Sequence, residues 1–95
     1  MLTFNDIKNA VAETVSKFPV KKVVLFGSYA DGTATEDSDV DVIVEFATAE
    51  ISLFTILDIK YALESKLHKN IDVIHGPLDK NAMIQPGKVL DVYEH

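Results

Sequence analysis

The chain has 95 residues, 47% of them hydrophobic, and its 9 basic and 15 acidic side chains leave a net charge of −6. That size and apolar content suit one small packed domain, residues 1–95, and argue against disorder. The acidic balance argues against non-specific nucleic-acid binding, which needs a basic footprint, and the absence of cysteine excludes disulfides and thiolate metal sites. No apolar run is long enough to span a membrane, and the N-terminus lacks the basic-then-apolar export pattern, so a soluble cytoplasmic protein is expected.

In chain order, Thr3 and Asp6 have the spacing of a capping box, and Leu2 is placed to staple onto Ile7. Ile7, Val11, Val15 and Phe18 then recur at helical spacing, and Pro19 is expected to end that helix. Lys22–Phe26 is a short β-branched run, read as a strand apolar on both faces. Gly27 breaks it, and Ser28 is expected to cap a short helix through Tyr29 and Ala30. Tyr29 is expected to pack at the surface. A polar loop over 32–38 leads to a second strand over Asp39–Phe46. Its alternation sends Val40, Val42, Val44 and Phe46 to one face and Asp39, Asp41, Ile43 and Glu45 to the other.

Residues 52–69 read as a long helix whose apolar positions are too many for one stripe. Burial on several sides is the expectation, and packing of one face against a partner is the alternative. Asn70–His75 is a third strand carrying Asp72, ended by Gly76-Pro77. A short helix over 79–85 and an edge strand over 88–93 complete a small sheet covered by helices.

The chemistry lies in three short segments. A carboxylate in a strand is costly unless a cation compensates it. Asp39 and Asp41, two residues apart, project from one strand face with Cα atoms roughly 6–7 Å apart. Such a pair can converge on one hard cation or bridge two, and magnesium, with two ions expected, keeps positions open for phosphate oxygens. Asp72 completes a three-carboxylate site if its strand is the neighbour. The Gly27-Ser28 turn lets backbone and a hydroxyl approach a phosphate. Gly27 and Gly32 have the spacing of a P-loop, but Thr33-Ala34 stands where Lys-Ser/Thr is required, so that reading is rejected. The histidines show no metal-ligand spacing. His75, at the end of the third strand, is more readily a loop histidine than a nucleotide contact. Lys80 is read as solvated, and Met83 and Ile84 as core.

Gly27-Ser28, Asp39-Val40-Asp41 and Asp72, in that order, resemble the minimal nucleotidyltransferase family of the DNA polymerase beta superfamily, and the resemblance spans nearly the whole chain. It implies an α/β (α+β) fold, a small mixed β-sheet flanked by helices. It implies Mg²⁺-dependent transfer of AMP from ATP to a hydroxyl, with pyrophosphate leaving. Asp39, Asp41 and Asp72 would be the catalytic, metal-ligating acids, and Asp72 would also help deprotonate the acceptor. Gly27 and Ser28 would bind the nucleotide. Minimal members are similar to antitoxins paired with a helical HEPN-domain toxin, whose tyrosine they adenylylate. The partners implied are therefore an HEPN toxin and a nucleoside triphosphate. Many relatives carry an arginine where this chain has Asp31. An acid facing the triphosphate would weaken nucleotide binding unless Lys21, Lys22 or a partner residue compensated. That substitution motivates the alternative of a catalytically weak antitoxin that neutralises its toxin by binding alone.

Overall fold

The computed structural model describes residues 2–76 and 89–95. Helix α1 (Phe4–Val15) begins at Thr3, whose hydroxyl accepts the Asp6 amide at 3.1 Å while the Asp6 carboxylate accepts the Thr3 amide at 3.0 Å. This reciprocal cap satisfies two amides that the start of the helix leaves without an intrahelical partner. It also holds the Asp6 carboxyl below the usual carboxylate range, chiefly through the backbone hydrogen bond of Thr3. Ile7, Val11 and Val15 form the buried stripe, and Leu2 packs against the same core. The helix stops at Val15, before Pro19. Phe18 sits in the following turn and still packs on the core, because the residue before a proline is turned away from helical geometry.

Four strands follow the order β3-β2-β1-β4. Strand β1 (Val20–Phe26) pairs antiparallel with β2 (Val40–Phe46) and with β4 (Leu90–Glu94), while β2 pairs parallel with β3 (Ile71–Gly76). The sheet is therefore mixed, as expected. The parallel step is made by helix α3 (Leu53–Leu67), which supplies the long crossover that parallel neighbours require. The helix expected over 79–85 lies outside the described residues, as do Lys80, Met83 and Ile84.

The expected alternation of β2 holds. Val40, Val42, Val44 and Phe46 enter one core with Ile7, Val11 and Val15 of α1, Val23 and Leu25 of β1, Ile59 and Leu63 of α3, and Val92 of β4. Asp41, Ile43 and Glu45 occupy the other face. Among the described residues, no helix spans the sheet on that side.

Helix α3 departs from the expected burial on several sides. Ile59, Leu63 and Leu67 face the core, whereas Leu53, Phe54 and Tyr61 are 68%, 77% and 58% exposed. With α1 and the sheet on one side only, these extra apolar positions stay exposed among the described residues. No helix among the described residues is long and apolar enough to cross a membrane.

Candidate active site

The candidate site forms where β1 ends and β2 and β3 begin. Gly27 closes β1 with φ +77°, a conformation that suits glycine. A second constraint comes from the opposite strand. A Cβ at Gly27 would lie 2.6 Å from Asp41 Oδ2, so the carboxylate fills the space a side chain would take. The Gly27 carbonyl then accepts the amides of Ala30 at 3.0 Å and Asp31 at 3.1 Å, starting helix α2 (Ser28–Asp31). The cap of this helix is Gly27, and Ser28 is its first residue rather than the expected cap. The tight turn places the backbone carbonyl, not the Ser28 hydroxyl, at the capping position. Tyr29 also departs from the surface position expected for it, since its ring packs on the core and its hydroxyl is buried.

Asp41 is the second residue of β2, opposite Phe26 on one side and Asp72 on the other. Asp72 is therefore on the neighbouring strand, in register, about 5 Å away along the ladder. Burial pushes the Asp41 carboxyl up to about 6. The Asp72 carboxyl, by hydrogen bond and by like charge, pushes the same way, as does the charge of Asp39. Burial and the neighbouring acids therefore both disfavour the charged form of Asp41.

Asp39 precedes the strand, which starts at Val40, and is exposed. Among the described residues, no three acids or histidines stand together in a metal-ligating group. The structure brings Asp41 and Asp72 into contact and leaves Asp39 nearby in charge but apart in position. Asp39 instead lines an open depression of about 560 Å³ with Glu64, His68 and Lys69, and neither Asp41 nor Asp72 forms its wall. That depression is a cleft between the 36–39 loop and the end of α3, not the acid pair itself.

The charges that concerned nucleotide binding are accounted for. The Asp31 carboxylate accepts both the Thr33 amide at 3.0 Å and the Thr33 hydroxyl at 2.6 Å. These bonds hold its carboxyl below the usual range, the hydroxyl bond foremost. Asp31 therefore braces the turn after α2. Lys21 pairs with Glu45 at 3.7 Å, and Lys22 with Asp91 at 3.5 Å and Glu94 at 3.8 Å, so neither is paired with Asp31. Among the described residues no lysine forms an ion pair with Asp41 or Asp72. His75 stacks edge-on against Phe46 at 5.2 Å, in register with Val44. The pleat puts it on the core-side face, opposite to the acids.

One feature of the site escaped the sequence reading. Lys60 and Glu64, on α3, reach the backbone of Ile71, the residue before Asp72. Lys60 Nζ donates to the Ile71 carbonyl at 2.9 Å, and the Ile71 amide donates to Glu64 Oε2 at 3.1 Å. The signal was present as two charges at i, i+4 within an otherwise apolar stretch of helix.

A profile of the family described as Nucleotidyltransferase domain matches residues 7–94. A provisionally named protein adenylyltransferase of Methanocaldococcus jannaschii is 38% identical over 73 residues, covering 77% of each chain. The protein adenylyltransferase MntA of Thermococcus cleftensis is 35% identical over 78 residues, covering 78% of each. The fold is similar to a solved structure of tri-AMPylated Shewanella oneidensis HEPN toxin in complex with MNT antitoxin, with TM-score 0.71 and 14% identity, covering 98% of this chain and 74% of that one. By the family profile and these relatives, the chain belongs to the nucleotidyltransferase domain family.

Proposed function

We propose that residues 1–95 act as one cytoplasmic protein adenylyltransferase domain, an antitoxin that transfers AMP from ATP to a tyrosine hydroxyl of a helical HEPN toxin. The observation that carries this reading is the opposition of Asp41 and Asp72 across the β2–β3 ladder, with Asp41 pressed against Gly27. Two carboxylates held together with no basic partner among the described residues are a donor set for a hard divalent cation. Mg²⁺ would be held by Asp41 and Asp72, while Asp39, the third acid that the resemblance implies, stands apart from the pair and would act on it through its charge. When bound it would supply neutralisation of the phosphate charge and of the leaving pyrophosphate.

The chain's own groups account for the rest. The Gly27 backbone, bare of a side chain, admits a phosphate close to Asp41, and Ser28 donates a hydrogen bond to a phosphate oxygen. Asp72 is exposed on its edge strand, so an acceptor hydroxyl can reach it. The acceptor oxygen forms a bond to the α-phosphorus as the bond to pyrophosphate breaks, and an Asp72 oxygen accepts the hydroxyl proton. The apolar outer face formed by Leu53, Phe54 and Tyr61 is the kind of surface a protein partner buries. That the relatives above carry adenylyltransferase names, and that the Shewanella complex joins an AMPylated toxin to its antitoxin, supports the acceptor class.

The binding-only alternative rested on Asp31, and Asp31 is committed to Thr33. The test is direct. The purified chain, ATP, Mg²⁺ and an HEPN toxin should give a toxin heavier by one or more AMP groups on tyrosine. An unmodified toxin, with an active relative run in parallel, would overturn the reading. An Asp39→Asn variant that still neutralises the toxin would restore the binding-only alternative.

A further inference from the structure

Among the described residues, strand β3 is an edge strand, and an edge strand exposes a row of unpaired backbone groups. In a parallel pair, alternate residues direct both backbone groups to the partner strand, and the residues between direct both outward. The Asn70 carbonyl accepts the Val40 amide at 3.0 Å. By this alternation Asp72 also bonds toward β2, and Ile71 points both its N–H and its C=O to the free edge. Those two groups are the ones taken by α3. Glu64 accepts the amide, Lys60 donates to the carbonyl, and the two side chains form an ion pair at 3.4 Å. Both are half-buried, at 30% and 25% side-chain exposure, which strengthens these charge-assisted bonds relative to a surface pair. The grip falls on the residue next to Asp72, itself in register with Asp41.

We infer that Lys60 and Glu64 are positioning residues, a two-pronged clamp on Ile71 that sets the height of Asp72 against Asp41. Without the clamp, the start of β3 is held to β2 on one side only, and the Asp72 carboxylate loses its fixed place. With it, helix α3 transmits a defined position to one acid of the pair while touching neither acid. This rests on the reading of Asp41 and Asp72 as a cation site, and the clamp has a readout of its own.

The test compares wild type, Glu64→Leu, Lys60→Met, Glu64→Gln and, as a control on the same helix, Lys66→Gln. Lys66 pairs with Glu13 at 3.1 Å, away from Ile71. Two quantities are measured in each: amide hydrogen exchange at Ile71 and Asp72, and Mn²⁺ affinity by paramagnetic line broadening. Glu64→Leu and Lys60→Met should lose protection at Ile71 and Asp72 while β1 and β2 amides stay protected. Both should bind Mn²⁺ roughly tenfold more weakly, the scale for groups that orient a metal ligand. Glu64→Gln keeps an oxygen for the Ile71 amide and should recover most of both, and Lys66→Gln should match wild type. In the transfer assay, the clamp variants should lose kcat more than affinity for ATP.

Unchanged Ile71 exchange in both Glu64→Leu and Lys60→Met would overturn the clamp. So would lost protection with unaltered Mn²⁺ affinity, because the grip would then not govern Asp72. Wild type that binds no Mn²⁺ would overturn the cation reading and the positioning role built on it. The exchange data would separate that result from a failure of the clamp alone.

Discussion

The two faces of the β2–β3 ladder are made from alternating residues of the same short strands, yet they obey different rules. On the helix side, Val40, Val42 and Val44 are essentially without solvent contact, packed on α1 and α3. On the other side, Asp41 meets Asp72 over Gly27. The first face is stable by dehydration alone. The second places acids side by side, and burial first, then the neighbouring Asp72 and Asp39, raises the Asp41 carboxyl to about 6. One strand can carry both because the pleat separates them completely. A single-residue slip of register would exchange core for site.

Substitution at adjacent positions should break this comparison cleanly. Asp41→Asn should lower AMP transfer roughly a hundred- to a thousandfold, the scale for removing one group that stabilises transition-state charge, with no loss of thermal stability. A variant that unfolds instead would place Asp41 among the structural residues. Val42→Ala, one residue along, should do the reverse. It should cost roughly 2 kcal/mol of stability in chemical denaturation, with a transfer rate near wild type at temperatures where the protein stays folded.

The same contrast was unevenly legible in the sequence. Alternation identified the buried face of β2 without error, because every second residue is apolar over four positions. The order of Gly27-Ser28, Asp39, Asp41 and Asp72 also pointed to one end of the sheet, where Asp41 and Asp72 face each other and Asp39 does not join them. Which strands are neighbours was not legible, since pairing depends on the path of α3 and not on local pattern. The position of Asp39 just outside the strand was missed for a related reason: strand ends are set by the partner's reach, here the Val40 amide bonding to Asn70. Helix α3 shows a third limit. An excess of apolar residues says that more than one surface is to be covered, and Leu53, Phe54 and Tyr61 are left exposed by the described residues. Asp31 was legible as an acid but not as a turn brace, because its partner Thr33 is two residues away and looks like ordinary loop.

A smaller effect sharpens the contrast in the cation-free protein. Asp41 has an ordinary carboxyl value of 3.8 when unfolded and about 6 when folded. The folded state therefore binds the proton more tightly. Its stabilising contribution is fully present below about pH 4 and is lost as pH rises through about 6. After discounting for solvent screening, the loss is about 1 kcal/mol. In chelator, the stability of wild type minus that of Asp41→Asn should fall by this amount between pH 4 and pH 7. The corresponding difference for Val42→Ala should stay flat.

The most direct measurement is the thermal midpoint at pH 7 as Mg²⁺ or Mn²⁺ is added to chelator-treated protein, read for wild type and for Asp41→Asn side by side. Divalent ions should raise the wild-type midpoint in a saturable way and leave the variant unmoved, because they relieve repulsion that only the paired acids possess. Equal responses from the two proteins, or none from wild type, would contradict the claim that Asp41 and Asp72 form a cation site.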